Sequence, residues 1–115
     1  MLLNISNHPS SRWTDQQKKT AEQQFETIED LAFPNISPEA TAGDVQILAG
    51  EFIKKINKRS PKAVHLMGEM TFTYALVSKL KKAGIKCIAS TTNRIVEEKD
   101  GKKIVQFQFV QYREY

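Results

Sequence analysis

Residues 63–92 read AVHLMGEMTFTYALVSKLKKAGIKCIASTT, and this stretch decides the fold. Ala63–Met67 is a short apolar run of the kind that forms a strand buried on both faces. Gly68 breaks it. From Thr71 to Ala83, Phe72, Ala75, Leu76, Leu80 and Ala83 recur at helical spacing, and Lys79, Lys81 and Lys82 gather where cations favour the end of a helix dipole. Gly84 suits a helix stop, since it takes the left-handed conformation without a Cβ clash. Ile85–Ala89 is a second apolar strand. Strand, helix and strand this close together predict a parallel crossover. Two loops then fall at the carboxyl ends of parallel strands, Gly68-Glu69-Met70-Thr71 and Ser90-Thr91-Thr92-Asn93-Arg94, at the edge where open α/β sheets bind ligands.

Working outward, Met1–Ile5 reads as the first strand. It runs into Ser6-Asn7-His8-Pro9-Ser10-Ser11-Arg12-Trp13, a loop dense in hydroxyl, amide and imidazole groups. Thr14 is a good N-cap with Gln17 three residues on, for a very polar surface helix ending near Phe25. Thr27–Phe33 alternates in part and reads as an edge strand. Thr41, with Asp44, caps a helix whose Val45, Leu48, Ala49, Phe52, Ile53 and Ile56 form the cleanest amphipathic stripe in the chain. After Thr92, Arg94–Glu98 and Lys102–Tyr112 flank Asp100-Gly101, a hairpin turn signal. Val105, Phe107 and Phe109 share one parity while Val110 and Tyr112 share the other, which predicts a bulge or an end covered on both sides. The expectation is one α/β domain over 1–115: a three-layer, Rossmann-like sandwich with a mostly parallel sheet and a C-terminal antiparallel hairpin.

The totals narrow the function. A net charge of +4 fits a small anionic ligand or RNA and is too weak to predict duplex DNA binding. The single cysteine, Cys87, rules out an internal disulfide and points to a reducing cytoplasm; it reads as a small core residue rather than a nucleophile. No stretch has the pattern of a signal peptide or the length of a membrane span. There is no Walker loop, GxGxxG or GxSxG elbow. With two histidines and no paired ligand spacing, neither a metal site nor a cofactor is expected.

Each candidate site has a plain alternative. In Gly68–Thr71, a helix N-terminus offers free N–H groups to a phosphate. Glu69 would repel that anion but can accept from a base or ribose hydroxyl; equally, the stretch is a tight turn with Thr71 as a cap. In Ser6–Trp13, His8 can act as acid or base, Arg12 can balance phosphate charge and Trp13 can stack on a base. Read residue by residue, it is a turn with Trp13 packed on the first helix. Ser90–Arg94 either completes a polyphosphate pocket or is a solvated connection. His65, inside an apolar strand, reads as a satisfied core histidine.

The strand ending in SNHPSS, the LMGEMTFTYALVSKLKKAGIKCIASTT unit and the closing hairpin together resemble the small CRISPR-associated Rossmann-fold (CARF) proteins, most of all the short single-domain members of ring-nuclease type. That resemblance implies a homodimer that holds cyclic oligoadenylate, the type III CRISPR second messenger, between the strand-end loops of two subunits. It also implies cleavage of the ring without metal, a ribose 2′-hydroxyl attacking the adjacent phosphate. On this chain the corresponding loops are Ser6–Ser11 and Gly68–Thr71.

The expected site therefore has His8 as acid or base, with Ser10, Ser11 and Arg12 at the phosphate. Ser6, Asn7, Trp13, Gly68, Glu69, Met70, Thr71, Ser90, Thr91, Thr92 and Arg94 complete the ligand contacts. The rival expectations are a sensor or sponge that holds the ring uncut, and an interaction module that uses the hairpin edge and Val105–Phe109.

Overall fold

The computed structural model describes all 115 residues. In chain order the elements are β1 (Leu2–Ser6), a 3₁₀ turn (Ser10–Arg12), α1 (Asp15–Phe25), β2 (Ile28–Asp30), α2 (Ala42–Arg59), β3 (Ala63–Met67), α3 (Met70–Lys82), β4 (Lys86–Lys99) and β5 (Lys102–Glu114). The sheet order is β2-β1-β3-β4-β5. The first four strands run parallel and β5 is antiparallel to β4. No helix is long and apolar enough to cross a membrane.

Local chemistry sets the element ends. Thr14 Oγ1 accepts from Gln17 N (3.3 Å) at the start of α1. At α2, Asp44 N donates to Thr41 Oγ1 (3.1 Å) and Thr41 N donates to Asp44 Oδ2 (2.9 Å), the full reciprocal box, worth about 1 kcal/mol. Gly84 sits past the end of α3 at φ +76°, where Ile85 N returns to Leu80 O.

Strand alternation sorts the core into two layers. Leu3, Ile5, Val64, Leu66 and Cys87 meet α2 and α3 through Val45, Ala49, Phe52, Ile56, Phe72 and Leu76. Burial pushes the Cys87 thiol up to about 11, so it behaves as a core residue. On the other face Leu2, Ala63 and Ile88 meet Trp13, Ala21 and Phe25. The same parity on that face continues to Asn4, Ser6, His65, Met67 and Ser90. The lone helix α1 covers this side, and it is here that the sheet stays partly open.

Two expected elements differ: the edge strand expected over Thr27–Phe33 is only the three residues Ile28–Asp30, and the third expected loop is a strand. Ser90–Arg94 is not a loop between a parallel strand and a separate hairpin. It is the middle of a continuous 14-residue β4, paired from Ile88↔Glu114 to Lys99↔Lys102. β5 supplies partners along its whole length, and the β-branched Thr91-Thr92 suits a strand better than a turn. The expected bulge is present: Thr91 pairs Gln111 and Thr92 pairs Phe109, so Val110 is the extra residue. It turns both Phe109 and Tyr112 toward α1, with ring centroids 5.0 Å apart.

Candidate functional site: a cleft at the sheet's switch point

From β1 the chain passes through α1 to β2 on one side, then through α2 to β3 on the other. β1 and β3 stay paired to Ser6 and Met67, and the connections that leave these carboxyl ends part to opposite sides of the sheet, where a ligand crevice is expected. A cleft of about 570 Å³ lies there, lined by Ser6, Asn7, His8, Arg12, Trp13, Thr14, Gln17, His65, Met67, Gly68, Ser90, Thr92, Phe107 and Phe109.

Its floor is a buried polar network. Asn4, 2% exposed, donates through Nδ2 to Asp30 Oδ1 and to the His8 carbonyl, each at 2.9 Å. Both Nδ2 partners are acceptors, so Oδ1 must face the other way. There it lies 2.9 Å from His65 Nδ1 and 2.8 Å from the Ser6 hydroxyl. The tautomer follows: His65 carries its proton on Nδ1 and leaves Nε2 bare. That Nε2 is buried and has no hydrogen-bond partner. Burial pushes the imidazole down to about 4, so the ring is neutral at pH 7. It packs edge-on against Trp13 (5.2 Å between centroids) and Tyr112 (5.7 Å). Tyr112 donates to Gln17 O at 3.2 Å, and burial raises its phenol to about 12.

The first-strand loop hangs from the same network. The His8 carbonyl accepts from Asn4 and from Trp13 Nε1 (3.2 Å), with the Ser6 hydroxyl at 3.0 Å. The backbone of His8 is thus anchored while its side chain is exposed at the rim. Burial alone would raise the Asp30 carboxyl, but hydrogen bonds from Asn4, the Ser10 hydroxyl (2.8 Å) and Ser10 N (3.1 Å) outweigh it and hold it below the usual range.

Of the expected ligand contacts, Ser6, Asn7, His8, Arg12, Trp13, Gly68, Ser90 and Thr92 line this cleft. Trp13 is only 7% exposed, so most of its ring is spent on the α1 core. The others lie elsewhere. Ser10 is taken by Asp30, and with Ser11 it borders a separate hollow beside Lys18, Glu22 and Glu26. Thr91 Oγ1 bonds to the Gln111 backbone across the hairpin. Arg94 pairs Phe107 further along the strand.

Glu69, Met70 and Thr71 do not form a phosphate cradle either. Glu69 is itself the N-cap of α3: its carboxylate accepts from Phe72 N (2.8 Å) and Thr71 N (2.9 Å), with the Thr71 hydroxyl 2.7 Å from each oxygen. Those bonds, from Phe72 N first, hold it below the usual carboxylate range. The protein's own anion therefore occupies the helix terminus where a phosphate was expected. Met70 is 83% exposed, on the outer surface. Gly68 has a structural reason to be glycine, because a Cβ there would fall 2.3 Å from the Phe33 ring.

Residue-by-residue reading missed Thr14, Gln17, His65, Met67, Phe107 and Phe109. For His65 a signal existed: LLNIS and AVHLM both carry a polar residue at the third, central position of a buried strand, and β1–β3 pairing sets Asn4 against His65. Two buried polar groups in adjacent apolar strands need each other.

The fold and cleft define a mixed α/β domain with its pocket at the carboxyl rim of a mostly parallel sheet. The chain belongs to the uncharacterized protein MJ1673 family, whose model matches residues 1–113. No curated protein matches it.

Proposed function

We propose that the cleft binds cyclic oligoadenylate and cleaves it without metal. The observation that carries this reading is the convergence of the Ser6–Trp13 loop, the Gly68 turn and Ser90 and Thr92 of β4 around one crevice with a single cation, Arg12, at its edge. A mixed wall of this kind suits a ligand with flat bases and a charged backbone. A second copy facing the first across the rim would double the positive charge around a ring of phosphates. The exposed Val96, Val105 and Phe107 of the hairpin supply apolar surface for such a dimer.

In the reaction a ribose 2′-hydroxyl attacks the adjacent phosphorus and the P–O5′ bond breaks. The 2′ proton passes to a base and a proton is returned to the departing 5′ oxygen, giving a 2′,3′-cyclic phosphate and a 5′-hydroxyl. His8, at the rim with its side chain free, is placed for one of these transfers. Arg12 offsets charge on the phosphate.

The test is incubation of the protein with cyclic tetra- and hexa-adenylate in EDTA, with products separated by chromatography. Ring opening that is lost in His8→Ala supports the enzyme. Tight binding by calorimetry with the ring left intact selects the second reading, a sensor or sponge. One observation favours that alternative: of the two histidines that line the cleft, His65 is buried and held neutral, which leaves a single exposed imidazole, His8, for two proton transfers.

A further inference from the structure

The buried imidazole of His65 has a property that folding alone does not require. Its Nδ1–H is committed to Asn4, and its Nε2 lone pair is buried without a partner. An unmet buried acceptor is unfavourable, and an apolar side chain at the same position would avoid it. The ring nevertheless lines the cleft, and it is walled edge-on by Trp13 and Tyr112. The groups packed around it, Asn4 from β1, Trp13 from the loop and Tyr112 from β5, carry no formal charge at pH 7. The Asn4 amide also locks the tautomer, because its Nδ2 is held by Asp30 and by the His8 carbonyl.

A fixed neutral acceptor selects among ligand groups. Phosphate and keto oxygens are acceptors and would face the Nε2 lone pair, so charge belongs at the Arg12 rim. A flat group with an N–H on its edge fits the aromatic walls and satisfies the nitrogen. We infer that His65 Nε2 is the base-reading atom of the cleft, accepting a hydrogen bond from the exocyclic amine of an adenine. The inference deepens the reading of the cleft as a cyclic oligoadenylate site and rests on it.

The test compares calorimetric affinities for cyclic tetra-adenylate and the corresponding ring of unsubstituted purine nucleotides, in which a hydrogen replaces each amine and no new N–H is introduced. The wild-type protein is expected to prefer the adenylate ring at least tenfold. His65→Phe is expected to bind both rings within about twofold of one another, while Ser11→Ala, outside the cleft, keeps the preference. Equal binding of the two rings by wild-type protein, or an unchanged preference in His65→Phe, overturns the inference and leaves the cyclic-nucleotide reading standing.

A second measurement needs no variant. The ¹⁵N resonance of His65 Nε2 should be that of a bare nitrogen and should shift as ligand is added. If neither ring binds, the functional reading fails, and the same resonance is followed with adenosine 5′-monophosphate at millimolar concentration. A shift there supports His65 as an amine reader; a resonance that stays still means that Nε2 serves only an internal water, and the inference falls.

Discussion

Nδ1 of His65 lies 2.9 Å from Oδ1 of Asn4, across the two central strands of the sheet. This bond ties the floor of the cleft to its rim, because the same amide holds Asp30, the His8 carbonyl and the Ser6 hydroxyl. Fold and site therefore share one side chain.

Asn4→Leu keeps the volume and removes every one of those partners. It is expected to lower the unfolding free energy by about 2–4 kcal/mol, since several buried or half-buried polar groups lose their bonds together. Urea unfolding followed by far-UV circular dichroism measures it. A loss under about 1 kcal/mol would mean that the network holds no more than one ordinary hydrogen bond's worth.

Stability should fall on mild acidification. His65 has its folded value depressed from 6.5 to about 4, so the unfolded chain binds the extra proton first. Stability from this group is complete above pH 6.5 and declines as pH falls toward 4, by about 3 kcal/mol in all. Asp30, also depressed, gives stability that is lost only below the ordinary carboxylate value of 3.8. In His65→Phe the decline between pH 6.5 and 4 should flatten and the steeper acid limb should remain, as read from denaturation midpoints at each pH.

Gly68→Ala should destabilise by about 1–3 kcal/mol through overpacking against the half-buried Phe33 ring, which is itself packed edge-on to Phe72. Phe33→Leu in the same background should recover part of that loss. A double-mutant cycle with no coupling would place the cost of the alanine elsewhere.

Three charged or polar residues near the rim separate cleft contacts from scaffold. Arg12→Ala should weaken cyclic oligoadenylate binding about tenfold and flatten its salt dependence. Ser11→Ala, outside the cleft, should leave the affinity unchanged. Glu69→Ala should also leave the affinity near wild type while speeding amide exchange at Thr71 and Phe72, whose N–H groups it caps. A large affinity loss in Glu69→Ala would restore that carboxylate to the ligand's side of the account.

The order of elements was written in local chemistry. Apolar runs at Leu2–Ile5 and Ala63–Met67, the Thr41–Asp44 cap, the stripe from Val45 to Ile56 and the stop at Gly84 each act over a few residues, so the α/β crossover architecture was legible. The parity break after Phe109 left a bulge or a doubly covered end as alternatives, and pairing with β4 decided for a bulge at Val110. The Ser90–Arg94 strand was not legible, because its pairing depends on β5, a segment joined to it only after the turn at Asp100-Gly101.

The sequence by itself determined which groups were on hand: a polar loop after the first strand, a glycine turn after the third, hydroxyls after the fourth. Only tertiary structure decided which of them share a cleft. Glu69 turned inward to cap its own helix, Ser10 was claimed by Asp30, and Thr91 and Thr92 parted to different roles. His65 passed from core filler to cleft floor because parallel pairing set it beside Asn4. The physical reason is that a hydrogen bond or a close contact depends on distance in space, and residues 61 positions apart acquire that distance only when the sheet forms.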